Sequence, residues 1–208
     1  MSKNYMHKIL LTLLFSISAV LLTACGDAIQ MTPLSSDATI LAFGDSLTAG
    51  NGASDEGSYP AQLSLLLNRS VINAGISGEE SGEGKARLAA LLDTHRPQLL
   101  ILCHGGNDLL RKRPVSELES NLMEMIAMAR GRGIEVLLLG VPAPGVFLSS
   151  EAVYETVAEA SGVAFIPDVV ADVLKRPAMK SDAIHPNAAG YGEMASVIFT
   201  EMQNLGAI

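Results

Sequence analysis

Five short runs of mainly apolar residues, separated by segments with helical patterns, constrain the fold of this chain more than any other feature. They occupy residues 38–43, 70–74, 99–103, 134–140 and 163–166. Runs of this length and composition are typical of strands that are buried on both faces of a parallel sheet. Because the connections are short, the sequence predicts an α/β protein, a three-layer αβα sandwich around a parallel sheet of about five strands.

The N-terminal residues indicate export rather than fold. Lys3 and Lys8 precede an apolar run at residues 9–22 that is too short for a comfortable membrane-spanning helix. A basic start, a short apolar stretch and small residues after it are typical of a signal peptide, which we predict over residues 1–24.

The tetrapeptide LTAC, which ends at Cys25, resembles the lipobox of bacterial lipoproteins. This resemblance implies that Cys25 is lipidated and that the protein is exported and anchored on the periplasmic face, with Gly26 favouring the outer membrane. The alternative is an ordinary cleaved signal that contains a cysteine. We predict a short tether over residues 25–37, followed by one domain over residues 38–208.

The charge balance limits the partners. The chain has 14 basic and 22 acidic residues, a net charge of −8, and removal of the signal peptide would delete only basic ones. An acidic body argues against nucleic-acid binding and against electrostatic adhesion to anionic lipid, so we expect membrane contact through the anchor alone. With Cys25 lipidated, Cys103 has no disulfide partner and is expected to be buried. We expect a monomer.

Polar, glycine-rich stretches follow three of the predicted strands. They are GDSLTAG at residues 44–50, GISGEESGEG at 75–84 and HGGND at 104–108. We expect residues 75–84 to be a loop throughout, with a helix following over residues 85–95. The carboxyl ends of parallel strands share one edge of the sheet, where α/β proteins place their chemistry. Gly44 would permit a sharp exit from the first strand, and Ser46 would then expose its hydroxyl at this edge.

A serine hydroxyl is a poor nucleophile at neutral pH and needs a base, which in turn needs a group to orient it. Of the four histidines, His185 in the polar segment SDAIHPN is the best candidate because Asp182 precedes it by three residues. Within one tight loop, Asp182 could bond Nδ1 of His185 and leave Nε2 free for the proton of Ser46.

Two other interpretations of Asp182 and His185 stay open at this point. They could cap the last helix, or they could bind a metal ion together with Asp45 and Asp108. One Asp and one His without a third clustered ligand give thin support for a metal, so we expect none. The motifs GxGxxG and GxxxxGK[ST] do not occur, so we also expect no nucleotide cofactor.

Attack on a carbonyl creates an oxyanion that needs hydrogen-bond donors. Asn107 in HGGND offers a side-chain amide, a glycine amide in GISGEES could add a second donor, and the Ser46 amide could add a third. The alternative is that GGN simply forms a turn.

The motifs occur in the order GDS, NAGISG, GGND and DAIHPN, and this series resembles the SGNH hydrolases, also called the GDSL esterase/lipase family. It is most similar to the bacterial branch of arylesterases, lysophospholipases of the L1 type and acyl-CoA thioesterases. The resemblance spans nearly all of residues 38–206. It implies a flavodoxin-like αβα fold and a metal-independent serine esterase.

The resemblance also assigns roles, residue by residue. Ser46 matches the nucleophile, and Asp182 and His185 match the acid and the base. Gly78 matches the oxyanion glycine, with Gly75 as the alternative, and Asn107 matches the oxyanion asparagine. His104, which precedes the two glycines of GGND, receives no role.

We therefore predict an enzyme that hydrolyses small carboxylic esters, such as aryl esters, lysophospholipids or acyl thioesters, through an acyl-serine intermediate. An apolar loop could form an acyl-binding wall, or it could merely cover the core; its members are Val141, Val146, Phe147 and Leu148. Two other functions are considered. One is removal of O-acetyl groups from glycans, and the other is an inactive lipoprotein that binds lipid or a partner.

Overall fold

The computed structural model describes residues 29–143, 145 and 148–208. The predicted signal peptide and the predicted lipidation site at Cys25 lie outside these residues. Within them, five strands form one parallel sheet in the order β2-β1-β3-β4-β5, which confirms the predicted fold class. The strands are β1 (Thr39–Gly44), β2 (Ser70–Gly75), β3 (Leu99–Cys103), β4 (Glu135–Leu139) and β5 (Ala164–Ile166).

Helices cover both faces of this sheet. They are α1 (Ser46–Ala49), α2 (Tyr59–Leu67), α3 (Ser81–His95), α4 (Gly106–Leu110), α5 (Val115–Arg130), α6 (Ala152–Ser161), α7 (Val169–Leu174) and α8 (Ala188–Asn204), with two 3₁₀ turns at Asp55–Gly57 and Pro177–Met179. Helix α8 packs against α2 and α7, whereas α5 packs against α3 and α6. Because crossovers between parallel strands are right-handed as a rule and the strand order reverses at β1, these two groups lie on opposite faces, which gives the three layers.

The core lies around the central strands. Every residue of β3, from Leu99 to Cys103, is fully buried, as expected for a strand covered on both faces. Strand β1 lies between β2 and β3, and Gly44 at its end is level with Gly75 and with Cys103. The strand order reverses at β1, so the stretches that follow these three strands begin side by side at the usual ligand-binding edge.

Gly44 is needed for a different reason than the sequence suggested. Its φ angle is not in the left-handed region, so the exit from β1 does not require glycine for its dihedral angles. A Cβ atom at this position would instead lie 1.9 Å from the carbonyl oxygen of Cys103. Glycine therefore permits the close approach of β1 and β3.

Helix α3 begins earlier than predicted. The glycine-rich residues 75–84 were expected to be a loop throughout, yet the helix starts at Ser81. The Glu83 carboxylate accepts a hydrogen bond from the Glu80 N–H at 2.9 Å, as in a capping box. This cap offsets the low helix propensity of the two glycines in the first turn.

Part of the predicted tether packs onto the domain. The side chains of Met31 and Leu34 are 5% and 8% exposed. Their N–H groups donate to the carbonyl oxygens of Leu205 and Ala207 at 2.8 and 2.9 Å, beyond the end of α8. Across residues 29–143, 145 and 148–208, no helix has the length and apolar character needed to cross a membrane.

Candidate active site

Ser46 is the first residue of the short helix α1, which follows β1, and the side chain of Asp45 fixes this turn by hydrogen bonds. One oxygen of the Asp45 carboxylate accepts from the Leu47 N–H at 3.1 Å, and the other accepts from the Gly106 N–H at 3.1 Å. Burial raises the pKa of Asp45, which is 1% exposed. The carboxylate thereby connects the turn of Ser46 to the GGND stretch, a role that the sequence analysis missed.

The structure brings Ser46, His185 and Asp182 together as a chain of hydrogen bonds. Ser46 Oγ lies 3.0 Å from His185 Nε2, and His185 Nδ1 lies 2.8 Å from Asp182 Oδ2. An ionised Asp182 can only accept, so it selects the tautomer with hydrogen on Nδ1. Nε2 is then free to accept the proton of Ser46.

Asp182 is well suited to stay ionised. The hydrogen bond from His185 lowers its pKa, and two main-chain N–H groups add to this effect. These are the N–H groups of Ile184 and His185, which both donate to Oδ1 at 2.8 Å. The carboxylate is therefore fixed by three donors within a single turn.

The last helix is capped by another residue, so Asp182 and His185 are not its caps. The side chain of Asn187 accepts from the Gly190 N–H at 3.1 Å. The loop before it is closed by a bridge between Lys180 and Pro186. This loop places His185 Nε2 3.0 Å from Ser46 Oγ.

The predicted oxyanion donors lie on three neighbouring segments. Among the hydrogen bonds of the described residues, the N–H groups of Ser46 and Gly78 have no acceptor. The Asn107 side chain donates one hydrogen to the Glu79 carbonyl at 3.0 Å, which leaves the second hydrogen of its NH₂ group for a ligand.

The geometry favours Gly78 over Gly75 as the glycine donor. The Gly75 N–H already donates to the side chain of Asn73 at 3.0 Å, and Gly75 packs against Ala49. Gly78 has a φ angle of +81°, and a Cβ atom on it would meet nothing within 4 Å. The loop at Gly78 therefore borders open space, with its N–H free.

A cavity of about 270 Å³ opens beside these groups, with Ser46, Asn107 and His185 in its wall. The rest of its lining is mainly apolar, as in a site for an acyl or aryl group. Val141 and Leu148 of the predicted acyl wall line it, whereas Val146 and Phe147 lie outside the described residues. Its larger aliphatic members also include Leu47, Leu110, Val170, Leu174 and Ile184.

A larger hollow of about 760 Å³ lies at the opposite edge of the sheet. It is bordered by residues that precede β3 and β4, such as Gln98 and Ile134, and by the ion pair of Asp93 and Arg132. It contains none of the predicted site residues. We therefore assign the chemistry to the smaller cavity, which holds the serine.

The residues considered for a metal ion have other partners. The Asp108 carboxylate accepts from the main chain and the hydroxyl of Ser81 at 2.8 and 2.6 Å, and Asp45 accepts from two amides. In the part of the chain that the structure describes, no group of three or more His, Cys, Asp or Glu residues is placed to hold a metal ion.

Comparison with known proteins identifies the family of the chain. Residues 42–192, a range that contains all the predicted catalytic and oxyanion-hole residues, match the model of the GDSL-like lipase/acylhydrolase family. The chain is similar to the esterase TesA of Pseudomonas aeruginosa, with 32% identity over 198 residues that cover 90% of this chain and 98% of that protein. It is also 33% identical to thioesterase 1/protease 1/lysophospholipase L1 of Escherichia coli K12, over 80% of this chain and 84% of that protein.

A solved structure extends the similarity to three dimensions. The crystal structure of TesA matches with a TM-score of 0.73 and 32% identity, covering 80% of this chain and 99% of that chain. The family match spans well over half of the sequence, and the relatives are matched over most of their own length. The chain therefore belongs to the GDSL-like lipase/acylhydrolase family.

Proposed function

We propose that this protein is a serine esterase that hydrolyses carboxylic esters through an acyl-serine intermediate. The observation that carries this proposal is the continuous contact from Ser46 Oγ through His185 to Asp182, at 3.0 and 2.8 Å, in the wall of an apolar cavity. A nucleophile, its base and an orienting carboxylate are the parts that acyl transfer requires.

In the acylation step, His185 Nε2 takes the proton of Ser46 as Oγ attacks the carbonyl carbon. The negative charge on the carbonyl oxygen is stabilised by the Ser46 and Gly78 N–H groups and by the free hydrogen of Asn107. Asp182 stabilises the imidazolium that forms on His185. The intermediate collapses, and the leaving alcohol or thiol takes the proton from Nε2.

Water completes the cycle by the same route. It gives a proton to His185 Nε2 and attacks the acyl carbon, and the same three donors hold the second oxyanion. The acid then leaves, and Ser46 Oγ recovers its proton from Nε2. Every proton thus passes through one nitrogen, which lies 3.0 Å from the serine oxygen.

The relatives support esters and thioesters as substrates, since their names include esterase, thioesterase and lysophospholipase. We propose small acyl esters of this kind, with the acyl or aryl part in the cavity of about 270 Å³. Glycan deacetylation is not favoured by these names, and an inactive binding role is not favoured by an assembled set of nucleophile, base and donors. One chain supplies all of these groups, so the site needs no second copy, and we propose a monomer.

Replacement of Ser46 by alanine tests the mechanism. We expect Ser46→Ala to lower kcat for a short p-nitrophenyl ester by at least ~10⁴-fold, because the nucleophile is lost. A fluorophosphonate probe should label the wild type and not the variant. Retained turnover by a folded Ser46→Ala protein would contradict the proposal, as would an unlabelled wild type.

We further propose that Cys25 carries a lipid and anchors the protein on the periplasmic side, with the outer membrane favoured. The support is the sequence LTACG around Cys25 and the apolar run before it. Mass spectrometry of the membrane fraction should find acylated Cys25. A Cys25→Ser variant that stays in that fraction as fully as the wild type would contradict the anchor.

A further inference from the structure

A charged cluster with a buried carboxylate lies beside the loop that carries Gly78. Its centre is Glu79, which is 7% exposed. The guanidinium of Arg87 donates to both carboxylate oxygens, from Nε and from Nη2, at 2.6 Å each. His104, which is fully buried, places Nε2 at 3.1 Å from Glu79 Oε2. No step of the proposed reaction uses these three side chains.

The hydrogen bonds identify the form of His104. Its Nδ1 accepts from the Gly105 N–H at 2.9 Å, so that nitrogen carries no hydrogen. Nε2 therefore carries the hydrogen and donates to Glu79. Both oxygens of the carboxylate are thus engaged, one by Arg87 and the other by Arg87 and His104.

Arg87 connects Glu79 to the strand that leads to the nucleophile. Its Nη2 also donates to the carbonyl oxygen of Ala74 at 2.9 Å and to that of Gly44 at 3.3 Å, at the ends of β2 and β1. The guanidinium carbon lies 4.1 Å from the centre of the Phe43 ring. The loop at Gly78 is therefore fixed against the end of β1, two residues before Ser46.

The main chain around Glu79 is bound to the other side of the site. Its own carbonyl accepts the hydrogen bond from Asn107 at 3.0 Å. The preceding carbonyl, that of Gly78, accepts from Arg111 at 3.1 Å. Glu79 thus connects the Gly78 peptide to the Asn107 side chain and, through Arg87, to the end of β1 that precedes Ser46.

Burial of an ion pair is costly, since desolvation of the charges offsets much of their attraction. An ion pair at this position is explained if it also holds neighbouring groups of the site in place. On the basis of the proposed function, we propose that Glu79 is a positioning residue for the oxyanion hole: its buried carboxylate fixes the Gly78 peptide and the Asn107 amide in the orientation that receives the oxyanion.

The effect of Glu79→Gln on steady-state kinetics tests this inference. Glutamine keeps the shape of the side chain but loses the charge that holds Arg87, so the loop at Gly78 is less firmly fixed. We expect kcat to fall by ~10- to 100-fold with KM within ~3-fold of the wild type, because the oxyanion exists only after attack. The matched control is Asp93→Asn, which removes the exposed ion pair to Arg132 at the opposite edge and should leave both constants unchanged.

A double-mutant cycle with Asn107→Ala distinguishes positioning from general stability. If Glu79 acts through the oxyanion hole, Glu79→Gln should cost clearly less in the Asn107→Ala background than in the wild type. If the losses in kcat of the two single variants simply multiply in the double variant, the two residues act independently and the inference is overturned. So would an unchanged kcat, or a loss confined to KM, in a folded Glu79→Gln protein.

A second variant covers the case in which Glu79→Gln does not fold. Glu79→Asp keeps the charge but withdraws it by one methylene group, and we expect a fall in kcat of several-fold to ~10-fold with little change in KM. Wild-type kinetics from this variant would overturn the inference. Since wild-type turnover and its loss in Ser46→Ala establish the reaction beforehand, these outcomes leave the proposed esterase function untouched.

Discussion

Two carboxylates near Ser46, those of Asp45 and Asp182, differ in burial, in the direction of their pKa shifts and in role. Asp45 is buried, and burial raises its pKa, yet both of its oxygens accept main-chain hydrogen bonds that fix the turn of the serine. The Asp182 side chain is 55% exposed, and the hydrogen bond from His185 lowers its pKa. Asp182 thus orients His185 and stabilises its imidazolium, whereas Asp45 holds the main chain around the serine in place.

Residue types and spacing were enough to foresee only part of this arrangement. The pairing of Asp182 with His185 spans three residues, so a local pattern in the sequence indicates it. The contact of Asp45 with Gly106 joins positions 61 apart, and that of Glu79 with His104 joins positions 25 apart. Such contacts depend on strand order and register, which a single sequence does not reveal at the level of individual atoms.

The stability conferred by Glu79 should depend on pH in a defined direction. Burial alone would raise the pKa of Glu79, but the hydrogen bonds from His104 and Arg87 lower it from 4.5 to about 2. A lowered pKa in the folded state means that its contribution is fully present well above the unfolded-state value of 4.5 and is lost as the pH falls toward 2.

We therefore expect Glu79→Gln to lower the free energy of unfolding by about 2–3 kcal/mol at pH 7. This difference from the wild type should shrink steadily between about pH 5 and pH 2, as the wild-type carboxylate takes up its proton. Urea unfolding of both proteins at pH 7, 5, 4 and 3 measures it. A difference that stays constant over this range would show that the charge of Glu79 does not contribute.

Helix α3 shows why an element can be mistaken for a loop. Gly82 and Gly84 give its first turn the composition of a loop, but only Gly84 has a packing reason. A Cβ atom on Gly84 would lie 2.2 Å from Nε2 of His104, whereas one on Gly82 would meet only Asn121, at 3.7 Å. The helix therefore requires a glycine at position 84 to pack closely against His104 at the end of β3. This requirement comes from a tertiary contact, which the local sequence does not show.

The same substitution at these two glycines should change stability in opposite directions. Gly84→Ala should lower the free energy of unfolding by about 1–3 kcal/mol, because the buried His104 ring is held by two hydrogen bonds and has no room to move. Gly82→Ala should raise it by about 0.5–1 kcal/mol, through the higher helix propensity of alanine. Thermal unfolding of the matched pair measures the contrast, and an equal effect at both sites would contradict the contact with His104.

At the scale of the whole molecule, the sheet was predictable because its strands are apolar throughout and therefore buried on both faces. The N-terminal boundary of the domain was less predictable. Residues 31–37 look like a polar tether, yet Ser35 accepts a hydrogen bond from the side chain of Gln98 at 2.9 Å, and Thr32 donates to Glu135 at 2.6 Å. These contacts lie at the amino ends of β3 and β4, opposite the edge that holds Ser46.

Deletion of this segment should therefore affect stability and leave the chemistry unchanged. A protein that begins at residue 38 loses the buried side chains of Met31 and Leu34. Its free energy of unfolding should therefore be about 3–6 kcal/mol lower than that of a protein that begins at residue 26. The double substitution Met31→Ala and Leu34→Ala in the longer protein should reproduce most of this loss. Thr32→Ala, at an exposed position, should reproduce little of it.

Turnover of a p-nitrophenyl ester by the folded fraction of the shorter protein should stay within ~2-fold of that of the longer protein, since the segment and Ser46 occupy opposite edges of the sheet. Equal stability of the two proteins would show that residues 31–37 add nothing to the domain, and a large loss of kcat at equal folded fraction would show that the two edges are coupled.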